Sequence, residues 1–199
     1  MDTLALHQVS VSEMDNNCYL LTCGKQALLI DAADDAAQLL ALAEARGVEI
    51  THVVTTHRHA DHVRALAEVL QATGATHIAS ALDAPALPCP VDVEMHDGET
   101  IDFAGHKFPV RILRGHTEGG LAIITNIDGQ THLFVGDSLF PGGVGKTTNK
   151  EDFNQLLDDV IERIFADYPD DAIVHPGHGN ATTLGAERPH LKEWRQRGW

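Results

Sequence analysis

The stretch Thr55-Thr56-His57-Arg58-His59-Ala60-Asp61-His62 closes an apolar run, Val53-Val54, and places three histidines and an aspartate close together. Side chains alternate along the end of a strand, so His57 and His59 point to the same side. A helix starting near Asp61 would turn Asp61 and His62 toward the space those two imidazoles face. Neutral imidazole and carboxylate are the donors of zinc and of other borderline first-row metals. For a lone His-x-His pair a histidine-rich surface turn would be the better reading. His-x-His-x-Asp-His directly after an apolar strand reads instead as a metal site.

Three further polar residues stand at strand ends beside glycine. They are His116 in Arg114-Gly115-His116-Thr117, Asp137 in Val135-Gly136-Asp137-Ser138, and His178 in Pro176-Gly177-His178-Gly179. Glycine there lets the backbone turn sharply and present the neighbouring side chain outward. Each one alone reads as a capped turn; taken with the first cluster, the three follow a pattern.

The elements that position these groups follow from periodicity and turn residues. Strands are expected at Gln8–Val11, Cys18–Thr22 and Gln26–Ile30, the last two joined through Gly24-Lys25. A helix should follow from Asp34-Asp35 to Arg46, stopped by Gly47, and then the strand Thr51–Thr55 that leads into the histidine cluster. A second helix is expected from about Asp61 to Ala72, stopped by Gly74, with Val63, Leu66, Ala67 and Leu70 on its inner face. After the strand Thr76–Ser80, Ala84-Pro85-Ala86-Leu87-Pro88-Cys89-Pro90 is an irregular connector. The second half is richer in strands: Val91–His96, Thr100–Phe103, Lys107–Leu113, Leu121–Thr125 and Thr131–Val135. A helix from about Glu151 to Phe165, a strand Ala172–His175 and a tail helix Glu187–Trp199 complete the chain. Two halves rich in strands and helices, without a sequence repeat, point to one α/β domain over 1–199, sheet packed on sheet with helices outside.

The 199 residues are 43% hydrophobic and 22% charged, the composition of a globular protein with a real core. A formal charge of −15 disfavours nucleic acid and anionic membrane as partners, since both would be repelled. No apolar run approaches the roughly 20 residues of a membrane span. Met1-Asp2-Thr3-Leu4 shows no basic n-region, so no signal peptide is expected. Cys18, Cys23 and Cys89 show no zinc-type spacing and read as mostly buried thiols in a reducing cytoplasm. Gly145-Lys146-Thr147 is no phosphate-binding loop, because Phe140 stands where that motif needs a glycine.

The polar pattern resembles the metallo-β-lactamase superfamily of metal hydrolases, four-layer αβ/βα sandwiches with the site at one edge. The resemblance runs from Ile30-Asp31 through His178. It implies that His57, His59 and His116 hold one metal, that Asp61, His62 and His178 hold a second, and that Asp137 bridges both. Within the superfamily the closer resemblance is to glyoxalase II-type proteins, the hydroxyacylglutathione hydrolases. Gly136-Asp137-Ser138-Leu139-Phe140, Gly142-Gly143-Val144-Gly145-Lys146 and Pro176-Gly177-His178-Gly179 carry that likeness. It implies substrate binding by Gly143, Gly145 and Lys146, the lysine helping to hold the thiol portion. Two departures stand out. Only 21 residues follow His178, where full-length relatives carry a helical domain, and Arg114-Gly115-His116-Thr117-Glu118-Gly119 replaces the usual Pro-Gly-His-Thr-Pro-Gly.

The chemistry implied is attack of a metal-bridged hydroxide on a thioester carbonyl, with two divalent ions, zinc first and iron or manganese as alternatives, lowering the pKa of water toward about 7. A thiolate, its thiol pKa near about 8.5, leaves without a general acid. Asp61 could orient or deprotonate the water. An iron-dependent persulfide dioxygenase and a lactonase-type hydrolase are the alternatives. The other histidines fit no ligand position; His175, three residues from His178, is the one of interest. The basic tail, with Arg188, Lys192, Arg195 and Arg197, reads as a helix docked by Leu191 and Trp194.

Overall fold

The computed structural model describes residues 3–198, so Trp199, at the end of the expected tail helix, and Met1-Asp2 lie outside the described residues. Its first sheet has six strands in the order β1-β2-β3-β4-β5-β6. These are β1 (Leu4–Val11), β2 (Asn16–Cys23), β3 (Gln26–Ile30), β4 (Glu49–Thr55), β5 (Thr76–Ser80) and β6 (Val93–Met95). Antiparallel pairing from β1 to β3 gives way to parallel pairing from β3 to β6. Parallel neighbours need a crossover. Helices α1 (Ala36–Arg46) and α2 (Leu66–Thr73) supply two of these.

The second sheet is ordered β14-β13-β10-β9-β8-β7. It comprises β7 (Thr100–Phe103), β8 (His106–Leu113), β9 (Gly120–Ile127), β10 (Gln130–Gly136), β13 (Ile173–Pro176) and β14 (Thr182–Thr183). A small hairpin, β11 (Leu139–Phe140) with β12 (Gly143–Val144), follows β10. Helices α3 (Lys150–Val160), α4 (Leu184–Glu187) and α5 (Leu191–Arg197) belong to this half.

Strand alternation sorts the apolar residues into three layers. Leu21, Leu28, Ile30, Val54 and Ile78 of the first sheet face Phe108, Val110, Leu121, Ile123 and Phe134 of the second. Their sequence neighbours Leu20, Leu29 and Val53 point the other way, onto Leu39, Ala43, Leu66 and Val69 of α1 and α2. On the far side Ala122, Leu133 and Val135 meet Phe153, Leu157, Ile164 and Trp194. Successive residues feeding opposite layers is the period of 2 expected of a strand buried on both faces. The result is a four-layer αβ/βα sandwich.

Several element boundaries correct the sequence expectation. The helix expected from Asp61 is a 3₁₀ turn, Ala60–His62, and α2 begins only at Leu66. The N–H groups of Arg64 and Ala65 donate to the carbonyls of Ala33 and Ala32, which pins this segment to the end of β3 and forbids a helical path. Ala67, expected on the inner face, is exposed, whereas Leu66 and Val69 are buried. The strand expected over Val91–His96 shortens to β6, and the helix Glu151–Phe165 is α3 followed by a π turn, Ile161–Phe165. The tail is α4, a 3₁₀ turn at Arg188–His190 and α5, because Pro189 lacks the N–H a continuous helix requires.

Trp194 does dock the tail, being 1% exposed against Phe165. Cys18 lies in the layer beneath α1, where burial pushes its thiol up to about 12, the mark of an inert core cysteine. No helix among the described residues is long and apolar enough to cross a membrane.

Candidate metal centre

The site lies where strands of both sheets end. His57, His59, Asp61 and His62 follow β4, His116 follows β8, Asp137 follows β10 and His178 follows β13. The fold brings all seven together. Ligand atoms of His57, His59 and His116 lie within 4.8 Å of one another, as do those of Asp61, His62 and His178. Asp137 sits between the two groups. Its Oδ2 is 3.6 Å from His116 Nε2, 3.9 Å from His57 Nε2 and 3.3 Å from His178 Nε2. Its Oδ1 is 3.4 Å from His62 Nε2. Asp61 Oδ2 lies 3.2 Å from His178 Nε2 and 3.4 Å from His62 Nε2, and accepts a hydrogen bond from Asn16 Nδ2 at 3.0 Å.

Two glycines make this convergence possible. A Cβ on Gly145 would collide with the carbonyl oxygen of Asp137, and one on Gly177 would collide with Asp137 Oδ1. Backbone from two different loops therefore closes onto Asp137, a distance only glycine allows.

Four of the imidazoles have their Nδ1 engaged away from the centre. His57 Nδ1 lies 3.0 Å from Thr56 Oγ1, and His62 Nδ1 lies 2.8 Å from Asp31 Oδ2. His116 Nδ1 meets the Lys146 carbonyl at 2.7 Å, and His178 Nδ1 the Met14 carbonyl at 2.8 Å. A ring that donates from Nδ1 to a carbonyl or carboxylate presents a bare Nε2 lone pair.

Two of those lone pairs find no partner among the described residues, and the other two face each other. His57 Nε2, His116 Nε2 and Asp137 Oδ1 are buried without a hydrogen bond, and His62 Nε2 faces His178 Nε2 at 3.1 Å. Acceptors aimed at one another in a buried space are unfavourable unless a cation or proton lies between them. The donor set therefore fits metal ions.

Charge is unevenly divided among these groups. Burial and the neighbouring His62 hold His57 well below the ordinary imidazole range, although Asp137 opposes this. Burial also disfavours charge on His62, but Asp137 and Asp31 outweigh it and hold its pKa up, at about 10. Burial would raise Asp137, yet His178 and His62 keep it ionised far below the usual carboxylate range.

Sequence reasoning missed Asp31, which is 1% exposed. Its carboxylate accepts from Thr56 N–H and Thr56 Oγ1, both at 2.7 Å, besides facing His62. Asp31 lies near His57 and His62, but these bonds occupy it as the group that orients them. The sequence signal is no more than an aspartate ending an apolar strand; its closeness to the histidine stretch comes from the parallel register that sets Ile30 beside Val54. Asp83 was missed too; it accepts from the N–H of Arg58 and of Gly119, joining the two histidine loops.

The residues expected to bind substrate lie on the segment that follows Asp137. Gly143 is buried in the hairpin and Gly145 just after it, and Lys146 is exposed while its carbonyl holds His116. His175 is not part of the centre. It is buried on β13, stacked on Phe134 and 2.8 Å from His132 Nδ1.

Residues 11–178 match the model of the metallo-beta-lactamase superfamily. A hydroxyacylglutathione hydrolase of Roseobacter denitrificans is 38% identical over 166 residues, which cover 82% of this chain and 62% of that protein. The chain spans about three-fifths of the length of the first curated relatives it matches, at 62%, 60% and 64%. Among solved structures, ETHE1 from Myxococcus xanthus aligns with a TM-score of 0.83 and 28% identity, covering 96% of this chain and 85% of that one. TTHA1623, crystallised in a di-iron-bound form, aligns with a TM-score of 0.75 and 31% identity, covering 92% and 96%. A match over most of its length, a shared sandwich and a donor set suited to two metals lead to one conclusion: the chain belongs to the metallo-beta-lactamase superfamily.

Proposed function

We propose that the chain is a binuclear metal-dependent hydrolase of thioesters of a low-molecular-weight thiol, with an S-lactoylglutathione-like substrate and a reducing cytoplasm as its setting. His57, His59 and His116 hold one ion in this reading, Asp61, His62 and His178 the other, and Asp137 reaches both. Zinc is the proposed metal, and the same donors suit iron or manganese. The observation that carries the reading is that His57 Nε2, His116 Nε2 and Asp137 Oδ1 are buried with no hydrogen-bond partner among the described residues, while His62 Nε2 and His178 Nε2 face each other at 3.1 Å. The similarity to hydroxyacylglutathione hydrolases supports the substrate class.

When bound, two such ions supply hydroxide at neutral pH and a Lewis acid toward a carbonyl. The protein's own groups do the rest. Asp31 and the Lys146 carbonyl keep the Nδ1 positions of His62 and His116 occupied, so each ring presents one fixed face. Asp61, held by Asn16, orients the attacking water and takes its proton. Oxygen bonds to the acyl carbon, the C–S bond breaks, and its electron pair leaves on sulfur. With a thiol pKa near about 8.5, the leaving thiolate needs no acid. Gly143 and Gly145 shape the hairpin that sets Lys146 at the edge of the site, where it receives the thiol portion.

A one-iron persulfide dioxygenase is the weaker reading, because its chemistry needs no second metal and so gives no task to His62 and His178. The test is hydrolysis of S-D-lactoylglutathione by protein purified without chelator, with metal content measured on the same sample. Turnover with two metals per chain is expected. One iron per chain with oxygen uptake on a thiol persulfide would replace this reading, and full activity in His57→Ala or Asp137→Ala would end it.

A further inference from the structure

Beside His59 and His116 opens a polar cleft lined by Arg58, Arg114, Glu118, Thr148, Asp152 and Gln155. Its charged groups differ in how firmly they are tied. Asp159, 2% exposed, takes Arg114 in a fork, with Nε to Oδ2 at 2.8 Å and Nη2 to Oδ1 at 2.7 Å. Asp152 receives hydrogen bonds from Thr148 Oγ1 and Asn149 Nδ2, both at 2.8 Å. Arg58 is different. Its guanidinium meets only one oxygen of Glu118, at 3.3 Å, and the Glu118 side chain is 68% exposed.

A single-oxygen pair with a solvated carboxylate contributes little. A guanidinium prefers two parallel bonds to one carboxylate. An incoming carboxylate can therefore displace Glu118 and use both prongs of the fork. The position matters because Arg58 lies between His57 and His59, its N–H fixed by Asp83 at 3.0 Å, so its place relative to the donor set is set by the backbone. It matters also because a chain of net charge −15 repels anions, and a local cation at the mouth is what admits one.

Resting on the thioesterase reading, we propose that Arg58 is the specificity-determining residue of the site, binding a carboxylate carried by the substrate, and that Glu118 is its built-in competitor. The carboxylate belongs to the acyl chain or to the thiol portion, and the test separates these sources. Three thioesters are compared on the metal-loaded protein: S-acetyl-N-acetylcysteamine, which is neutral, S-succinyl-N-acetylcysteamine, with an acyl carboxylate, and S-acetyl-N-acetylcysteine, with a thiol carboxylate.

The quantity read is kcat/KM for each anionic substrate divided by that for the neutral one. Arg58→Gln is expected to lower this ratio about tenfold for one anionic substrate, chiefly through KM, and Arg58→Lys to restore part of it. Glu118→Gln is expected to raise the ratio for the same substrate severalfold. Damage to the neighbouring metal ligands would lower all three rates together and leave the ratios unchanged. Unchanged ratios in both the Arg58 and the Glu118 variants overturn the assignment. If the unmodified protein turns over none of the three, nor S-D-lactoylglutathione, the thioesterase reading itself has failed.

Discussion

Asp31→Asn isolates the role of the group that orients the donor set. The change is nearly isosteric, and it suits the backbone: Asp31 has φ 58°, a left-handed conformation that asparagine adopts at less cost than alanine. Three donors converge on the carboxylate. Thr56 N–H approaches Oδ1, while Thr56 Oγ1 and His62 Nδ1 approach Oδ2. An amide can present its oxygen to only one of these sides and must oppose an N–H with its own NH₂ on the other. If the oxygen serves His62, the Thr56 N–H is orphaned; if it serves Thr56 N–H, the His62 ring loses its anchor.

A buried donor left unpaired costs about 1–3 kcal/mol. Loss of such an outer partner lowers metal affinity about 10- to 100-fold, or roughly 1.4–2.7 kcal/mol. Competition against a chromophoric chelator measures this directly, with far-UV circular dichroism to establish that the variant is folded. The second metal equivalent, which we assign to His62, should weaken by that factor, and the first by less. A folded Asp31→Asn variant binding both equivalents within twofold of the parent would refute the reasoning.

Other expectations follow from the same geometry. Gly145→Ala must push the hairpin off the Asp137 carbonyl, and should weaken metal binding about tenfold by the same chelator assay. Trp194→Ala empties the space beneath the tail and should cost about 3–5 kcal/mol in urea denaturation; a loss under about 1 kcal/mol would mean the tail is not docked. Burial and His132 hold His175 down, at about 4, against about 6.5 in an unfolded chain. The unfolded state then binds more protons between those values, so stability is full above pH ~6.5 and is lost as pH falls toward ~4, by roughly 3 kcal/mol. In His175→Phe the drop in stability between those pH values should be smaller by about that amount, and parallel pH profiles would contradict it.

Much of this was legible in the sequence because the information is local. A strand end carrying His-x-His-x-Asp-His, and glycine-flanked polar residues after apolar runs, announce side chains that leave a sheet at its edge. The three-layer core follows likewise from strand alternation. What stayed hidden depends on contacts distant along the chain. Helix α2 starts late because the carbonyls of Ala32 and Ala33 capture the N–H groups of Arg64 and Ala65. Asp31 looked like the end of a strand because its task is defined by Thr56 and His62, more than twenty residues on. The hairpin β11–β12 has two residues on each side, too short for any alternation to be read.

The division of the donor set between the two sheets has a mechanical consequence. His57, His59, Asp61 and His62 ride on the first sheet, whereas His116, Asp137 and His178 ride on the second. An ion held by both acts as a reversible cross-link, and one held by Asp61, His62 and His178 joins segments more than a hundred residues apart. In chain-entropy terms a closure of that length is worth on the order of 4–5 kcal/mol. Chelation would then loosen the seam between the sheets, and amide exchange at the ends of β4, β10 and β13 would report the opening before the outer helices respond.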